Sequence, residues 1–183
     1  MSAQSSTKAI ERELALDARK ARSAQEISSA RAAIVEAVRA NWRTEWRVVA
    51  AFEPLRTEPG SVELLHAAAD LGARVLVPVT QADRDLDWRM WPSGSLLGPA
   101  AIGSADVVFV PALAVDHAGV RLGRGGGSYD RALLRRGAAT LVVAVLFDGE
   151  FVRGPLPHDE WDQPVGAVVT PSGWRSPLGV DGE

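Results

Sequence analysis

The 183-residue chain contains no cysteine, which excludes disulfides and cysteine zinc sites and leaves packing to hold the fold. Its first 22 residues lack a continuous apolar run and are studded with Lys8, Arg12, Arg19, Lys20 and Arg22. That pattern predicts neither a signal peptide nor a membrane anchor, and a cytoplasmic protein. An excess of positive charge is also missing: the formal net charge is -3, which argues against neutralising nucleic-acid phosphates over a wide face but leaves a local basic pocket open. The three histidines, His66, His117 and His158, lack metal-ligand spacing, and no Ser/His/Asp order suggests a hydrolase. Internal repeats and low-complexity segments are absent.

What is present reads as one domain over residues 7–171, with looser ends at 1–6 and 172–183. From Thr7 to about Arg22 the pattern is helical, with Ile10, Leu14 and Ala18 on one face. Ser23 followed by Glu26 is a capping box for a second helix running to about Ala40. Residues 47–52 form a β-type run, 61–71 a helix and 74–79 another strand. The runs at 106–110 and 140–146 are continuously apolar, as strands covered on both faces require. Between them 128–136 reads as a helix, and 165–169 adds a last strand. Strands alternating with helices predict an α/β fold: a three-layer α/β/α sandwich with a mostly parallel sheet, long N-terminal helices, and ligands at the carboxyl ends of the strands.

The most informative segment is VPALAVDHAGVRLGRGGGSYDR, residues 110–131. Its core, Gly123, Arg124, Gly125, Gly126 and Gly127, stands directly ahead of a helix. Glycines let backbone amides approach a phosphate closely, and a helix start adds unpaired N–H donors. Taken alone, such a run usually punctuates a mobile turn. A P-loop is ruled out because the required lysine is absent. A dinucleotide fingerprint keeps the first glycine spacing, with Asp148 placed as a ribose acid, but Ser128 replaces its third glycine. Asp116 opens a type I turn that closes at Gly119.

Taken whole, this segment resembles the signature of 5-formyltetrahydrofolate cyclo-ligases, V-P-G-L-A-F-D, a short turn, then R-L-G-[YR]-G-[GK]-G-Y-Y-D. The resemblance extends to Lys8 and Arg12 one helical turn apart, to Glu58 in TEPGS, and to LPHDEWD ending at Asp162, so it runs from about Lys8 to Pro171. It implies an ATP-dependent enzyme that closes 5-formyltetrahydrofolate into its 5,10-methenyl form, with Mg²⁺ bridging phosphate oxygens and ADP and phosphate released.

By that resemblance Gly123, Gly125, Gly126, Gly127, Ser128 and Tyr129 wrap the phosphates of ATP, and Lys8 and Arg12 close over them. Arg124 stabilises the transferring group and Asp130 holds Mg²⁺, with Asp162 as a second metal residue; Arg124 and Asp130 are the catalytic pair. Glu58, Trp88 and Tyr129 serve the folate. The other tryptophans are packing residues, and Arg121 is a surface or hinge residue. The implied partners are the folate and ATP, without nucleic acid or membrane, in a monomer or weak dimer. Three departures stand out: Ser128 where the family has a tyrosine, Trp161 where it usually has histidine, and about ten residues fewer of folate-side wall around 91–98. They keep open a binder of nucleotide or folate without turnover, or an ATP-dependent enzyme with another acceptor.

Overall fold

The structure, a computed structural model, describes residues 3–176; Met1, Ser2 and 177–183, parts of the two ends read as loose, lie outside the described residues. Four α-helices are formed: α1 (Ala3–Lys20), α2 (Ala24–Ala40), α3 (Val62–Asp70) and α4 (Ser128–Leu133). The strands are β1 (Val48–Ala50), β2 (Arg74–Thr80), β3 (Leu86–Met90), β4 (Val107–Pro111), β5 (Ala114–Asp116), β6 (Arg121–Leu122), β7 (Leu141–Val145), β8 (Phe151–Val152), β9 (Ala167–Thr170) and β10 (Gly173–Arg175).

The main sheet has seven strands in the order β10-β9-β7-β4-β1-β2-β3. Its five inner strands are parallel, and only β3 and β10 at the edges run antiparallel. Central β4 shows how period-two alternation feeds two layers. Val107 and Phe109 join the core under α2 and α3, while Val108 and Val110 join the core on the other face with Ile102 and Leu133. The expected α/β/α sandwich is therefore found.

Local chemistry explains where helices start. The Ser23 side chain accepts from the Glu26 amide while Glu26 returns the bond to the Ser23 amide, a complete capping box. Ser61 caps α3 by accepting from the Leu64 amide at 3.2 Å. From α2, Ile27, Ile34, Val35 and Val38 are buried, a spacing that holds one helical face to the sheet.

Several expectations need correction. The buried face of α1 is not the apolar one: Ile10 and Leu14 are exposed, and Ala18 with them, while Lys8 and Arg19 are buried. The physical reason is that those cations find partners in the body of the protein, described below. The strand at 47–52 is shorter, 48–50. The last inner strand is shifted to Ala167–Thr170, and the chain then turns back as β10 instead of trailing off. Trp174 on β10 stacks against Trp46 at 6.1 Å and meets Phe109 edge-on at 6.5 Å, so aromatic packing holds this edge.

Helix α4 stops at Leu133 rather than 136, because the residues after it are pulled apart. Arg136 bonds the Leu133 carbonyl at 2.7 Å and Gln163 at 2.9 Å, whereas Arg135 grips both oxygens of Asp85 in the β2–β3 turn, Nη1 to Oδ1 at 3.1 Å. The Arg135 bonds hold the Asp85 carboxyl below its ordinary value. A group with a depressed folded pKa contributes stability that is present above its unfolded value and lost as pH falls through the folded one. Asp85→Asn is accordingly expected to cost under about 1 kcal/mol near neutrality, since the pair is partly solvated. The melting-temperature gap to wild type should vanish once pH drops well below 3.8. A gap that persists in acid would show that the loss is not electrostatic.

Candidate functional site

Strand β1 sends the chain to β2 on one side, and the chain returns to β4 on the other, so the sheet has a switch point at the carboxyl ends of β1 and β4. A cavity of about 700 Å³ opens there, lined by Phe52 and Glu53 after β1, Pro78 and Thr80 of β2, and Pro111, Ala112 and Leu113 at the end of β4. That volume suits a cofactor-sized ligand.

The glycine loop is the rim of this cavity. Strands β5 and β6 form a hairpin that delivers residues 123–127 to the mouth, with β8 completing a three-stranded sheet. Asp116 pins that hairpin as the turn chemistry predicts: Oδ1 accepts from the Ala118 and Val120 amides, each at 2.9 Å, and its carbonyl from Gly119 at 2.9 Å. Its Oδ2 accepts from the Leu156 amide at 2.9 Å, tying the hairpin to the following loop. Gly125 and Gly127 both have positive φ, +94° and +66°. At Gly127 a Cβ would meet only the movable tip of the Arg131 side chain, at 2.9 Å, so it is the left-handed backbone that favours glycine there.

Three arginines gather at this loop. Arg12 donates from Nε to the Gly123 carbonyl at 2.9 Å and, among the described residues, forms no ion pair. Arg124 donates from Nε to Glu58 Oε1 at 3.2 Å. Glu58 is buried, and its Oε2 accepts from the Leu55 amide at 2.9 Å. Arg121 is not a surface residue: it is buried, pairs with Asp130 Oδ1 at 2.6 Å, and lies 5.9 Å from the Tyr129 ring centre. Burial pushes the Tyr129 phenol up, with the Arg121 charge partly opposing, so this hydroxyl stays protonated at neutral pH.

Lys8 bridges Asp159 at 2.7 Å and Asp162 at 2.8 Å. Burial alone would lower its pKa, but the bonds to the two carboxylates outweigh that and hold it above the ordinary lysine value. Burial likewise opposes ionisation of Asp162, yet Lys8 and the Asp159 amide hold its pKa down. All the expected site residues but one line the cavity: Lys8, Arg12, Glu58, the stretch 123–130 and Asp162.

The exception is Trp88, expected to serve the folate from just ahead of its wall. It is fully buried in the core beneath Ile102 and Val110 and does not reach the cavity. As the third residue of β3, paired with Pro78, it faces the sheet's inner layer, and the alternation of β3 decides its direction. None of residues 91–98 lines the cavity either. They fold back on β3, Leu97 donating to the Trp88 carbonyl at 2.8 Å. Sequence reasoning missed the buried role of Arg121, the acid at Asp159, and Arg31, which reaches from α2 to the carbonyls of Leu55 and Glu58 and fixes the Glu58 loop. Arg121 and Asp159 did leave traces, the first as the arginine of the R-L-G signature and the second as an acid within LPHDEWD, but Arg31 left none.

A dedicated metal cage is absent: among the described residues no group of three or more His, Cys, Asp or Glu side chains could hold an ion. Asp130 and Asp162 nevertheless suit a hard cation carried in with phosphates. Asp130 uses only Oδ1 and Asp162 only Oδ2 in their hydrogen bonds. Mg²⁺ characteristically binds one or two carboxylates plus substrate phosphates. Charge counting agrees. The cationic side chains Lys8, Arg12, Arg19, Arg121, Arg124 and Arg131 face five carboxylates, Glu53, Glu58, Asp130, Asp159 and Asp162, a balance too even to neutralise a triphosphate.

Comparison with known proteins places this geometry. The model of the 5-formyltetrahydrofolate cyclo-ligase family matches residues 3–171. A 5-formyltetrahydrofolate cyclo-ligase of Mycolicibacterium smegmatis is 41% identical over 144 residues, 68% of this chain and 74% of that protein. The protein of that name from Escherichia coli K12 is 47% identical over 68 residues, 37% of each chain. Among solved structures, a 5,10-methenyltetrahydrofolate synthetase from Mycoplasma pneumoniae superposes with a TM-score of 0.79 at 20% identity, covering 90% of this chain and 98% of that one. One from Aquifex aeolicus gives 0.72 at 25% identity, covering 96% and 95%. No helix among the described residues is long and apolar enough to cross a membrane. With the motif on the cavity rim and the family match spanning nearly all of its length, the chain belongs to the 5-formyltetrahydrofolate cyclo-ligase family.

Proposed function

We propose that the protein binds Mg-ATP and 5-formyltetrahydrofolate in this cavity and converts the folate to 5,10-methenyltetrahydrofolate, releasing ADP and phosphate. The observation that carries this reading is the convergence of the glycine loop, Arg12, Arg124, Asp130 and Asp162 on one opening at the sheet's switch point. In the reaction the formyl oxygen on N5 attacks the γ-phosphorus and ADP departs; N10 then adds to the activated formyl carbon and gives up its proton, and phosphate leaves with the formyl oxygen, taking up that proton, as the C=N⁺ bond forms.

For such chemistry the protein supplies position and charge. The amides of 123–127 and the guanidinium of Arg12 receive the phosphates, Ser128 and Tyr129 close the turn, and Lys8 holds the Asp159–Asp162 loop against α1. Arg124 faces the transferring group and stabilises charge that grows there. Asp130 and Asp162 would hold Mg²⁺, which when bound supplies the positive charge that the side chains lack. Glu58, buried beside Arg124, accepts from the amidine edge of the pterin, and Tyr129, at the start of α4, contributes to holding the folate. We assign the protein to the cytoplasm, as a monomer or weak dimer without nucleic-acid or membrane partners.

Incubating the purified protein with 5-formyltetrahydrofolate, ATP and Mg²⁺ is expected to produce the methenyl chromophore and one ADP per product. Absence of the chromophore beside a working control enzyme would reject turnover of this folate. Binding of both ligands without product would favour the second reading, a binder, which the retreat of residues 91–98 from the cavity specifically supports.

A further inference from the structure

One ring on the cavity has no task in this reading. Trp161 lines the opening with 62% of its surface exposed, whereas the other tryptophans among the described residues are buried or half-buried. An indole ordinarily buries most of its large apolar area or finds an aromatic or cationic neighbour. Among the described residues, Trp161 has neither.

The backbone that carries it is nevertheless fixed. Lys8 holds Asp159 and Asp162, two residues before the ring and one after it, at 2.7 and 2.8 Å. The Asp159 amide donates to Asp162 Oδ2 at 2.9 Å, and Gln163 Nε2 donates to the Trp161 carbonyl at 3.1 Å. A large flat face is thus presented to the cavity by an anchored loop, and covering it costs little further ordering.

Which flat ligand covers it follows from the order of contacts around the rim. From Trp161 the loop leads through Asp162 to Lys8, along one turn of α1 to Arg12, and from Arg12 to Gly123; only past Arg124 does the rim reach Glu58. By these contacts the ring neighbours Lys8 and Asp162 on the side of the phosphate loop that Arg12 holds, and the carboxylate suited to a pterin is reached only across that loop. We infer that Trp161 is the stacking platform for the adenine ring of ATP, and so determines affinity for the nucleotide; this rests on the nucleotide reading above. Stacking needs no hydrogen bond to the base, so the platform should accept any purine nucleotide.

The test uses the whole protein with ADP as probe and tripolyphosphate as a control that lacks a base. ADP should quench or shift tryptophan emission where tripolyphosphate does not, and Trp161→Phe should abolish that signal while calorimetry still registers ADP. Trp161→Ala should raise KM for ATP roughly ten-fold, the range of base–aromatic stacking, with kcat and the folate KM within about two-fold. Trp161→Phe, which keeps a ring, should restore most of the loss. Calorimetric binding of ADP without any change in emission, or a signal that survives in Trp161→Phe, would overturn the platform while leaving the nucleotide site intact. Failure of ADP to bind at all would overturn both.

Discussion

Replacing Asp130 by asparagine is expected to lower kcat at least ~10-fold and toward ~100-fold, with the folded structure intact. Asn keeps the shape and one acceptor oxygen, so the Arg121 contact at 2.6 Å can persist in part while the negative charge disappears. What is removed is the charge that would hold Mg²⁺ at the phosphates, and with it stabilisation present chiefly in the transition state. Arg124→Ala should lose a similar factor by another route: its guanidinium is partly exposed over the cavity, so truncation takes positive charge from the transferring group. That change also strips buried Glu58 of its cation, leaving it the Leu55 amide. A rise in the folate KM should therefore accompany the fall in kcat for Arg124→Ala but not for Asp130→Asn. Initial rates of methenyl formation at varied ATP and folate, with circular dichroism as the check on folding, measure both effects. Turnover within about two-fold of wild type in either variant would mean that phosphate is handled elsewhere.

The sheet was legible in the sequence because buried parallel strands must be apolar on both faces, and the runs at 106–110 and 140–146 have no other comfortable home. The cavity rim was legible for a different reason. Glycine at 125 and 127 answers to backbone angles that few other residues adopt, so spacing there records geometry directly. Orientation was harder to read. Helix α1 carries an apolar stripe, Ile10 and Leu14, and a basic one, Lys8, Arg12 and Arg19, and periodicity alone favours burying the first. The protein turns the second inward, burying Lys8 and Arg19 and half-burying Arg12, since each of those cations meets a partner more than a hundred residues away: Asp162, the Gly123 carbonyl and Glu150. No local pattern reports partners at that separation. Trp88 failed similarly, because its place just ahead of the folate-side wall suggested a folate contact while the pleat of β3 turned it into the core.

The same buried cations make α1 sensitive to loss of a partner. Arg19 is almost fully enclosed, and Glu150 holds it with both oxygens, Nε to Oε1 at 2.8 Å and Nη2 to Oε2 at 2.7 Å, while Oε2 also accepts from the Phe147 amide at 2.9 Å. Arg19 adds a bond to the Ala112 carbonyl and lies 5.7 Å from the Phe147 ring centre. Glu150→Ala leaves that guanidinium buried with one carbonyl for company, and breaking a buried pair in this way typically costs about 3 to 5 kcal/mol. For a chain of this size the loss corresponds to a fall in melting temperature of roughly 10 °C. Replacing both partners at once, as Arg19→Met with Glu150→Leu, should recover most of that loss, because no uncompensated charge remains to be desolvated. Since α1 carries Lys8 and Arg12 into the cavity, Glu150→Ala should also weaken ADP binding at temperatures below the main transition, as the helix loosens from its dock. Thermal and urea unfolding of the single and double variants, read beside ADP calorimetry, tests the chain of cause from Glu150 to the site. A single variant within about 1 kcal/mol of wild type would show that Arg19 does not depend on this carboxylate, and that the docking of α1 rests instead on Ala15 and Leu16 against the small sheet.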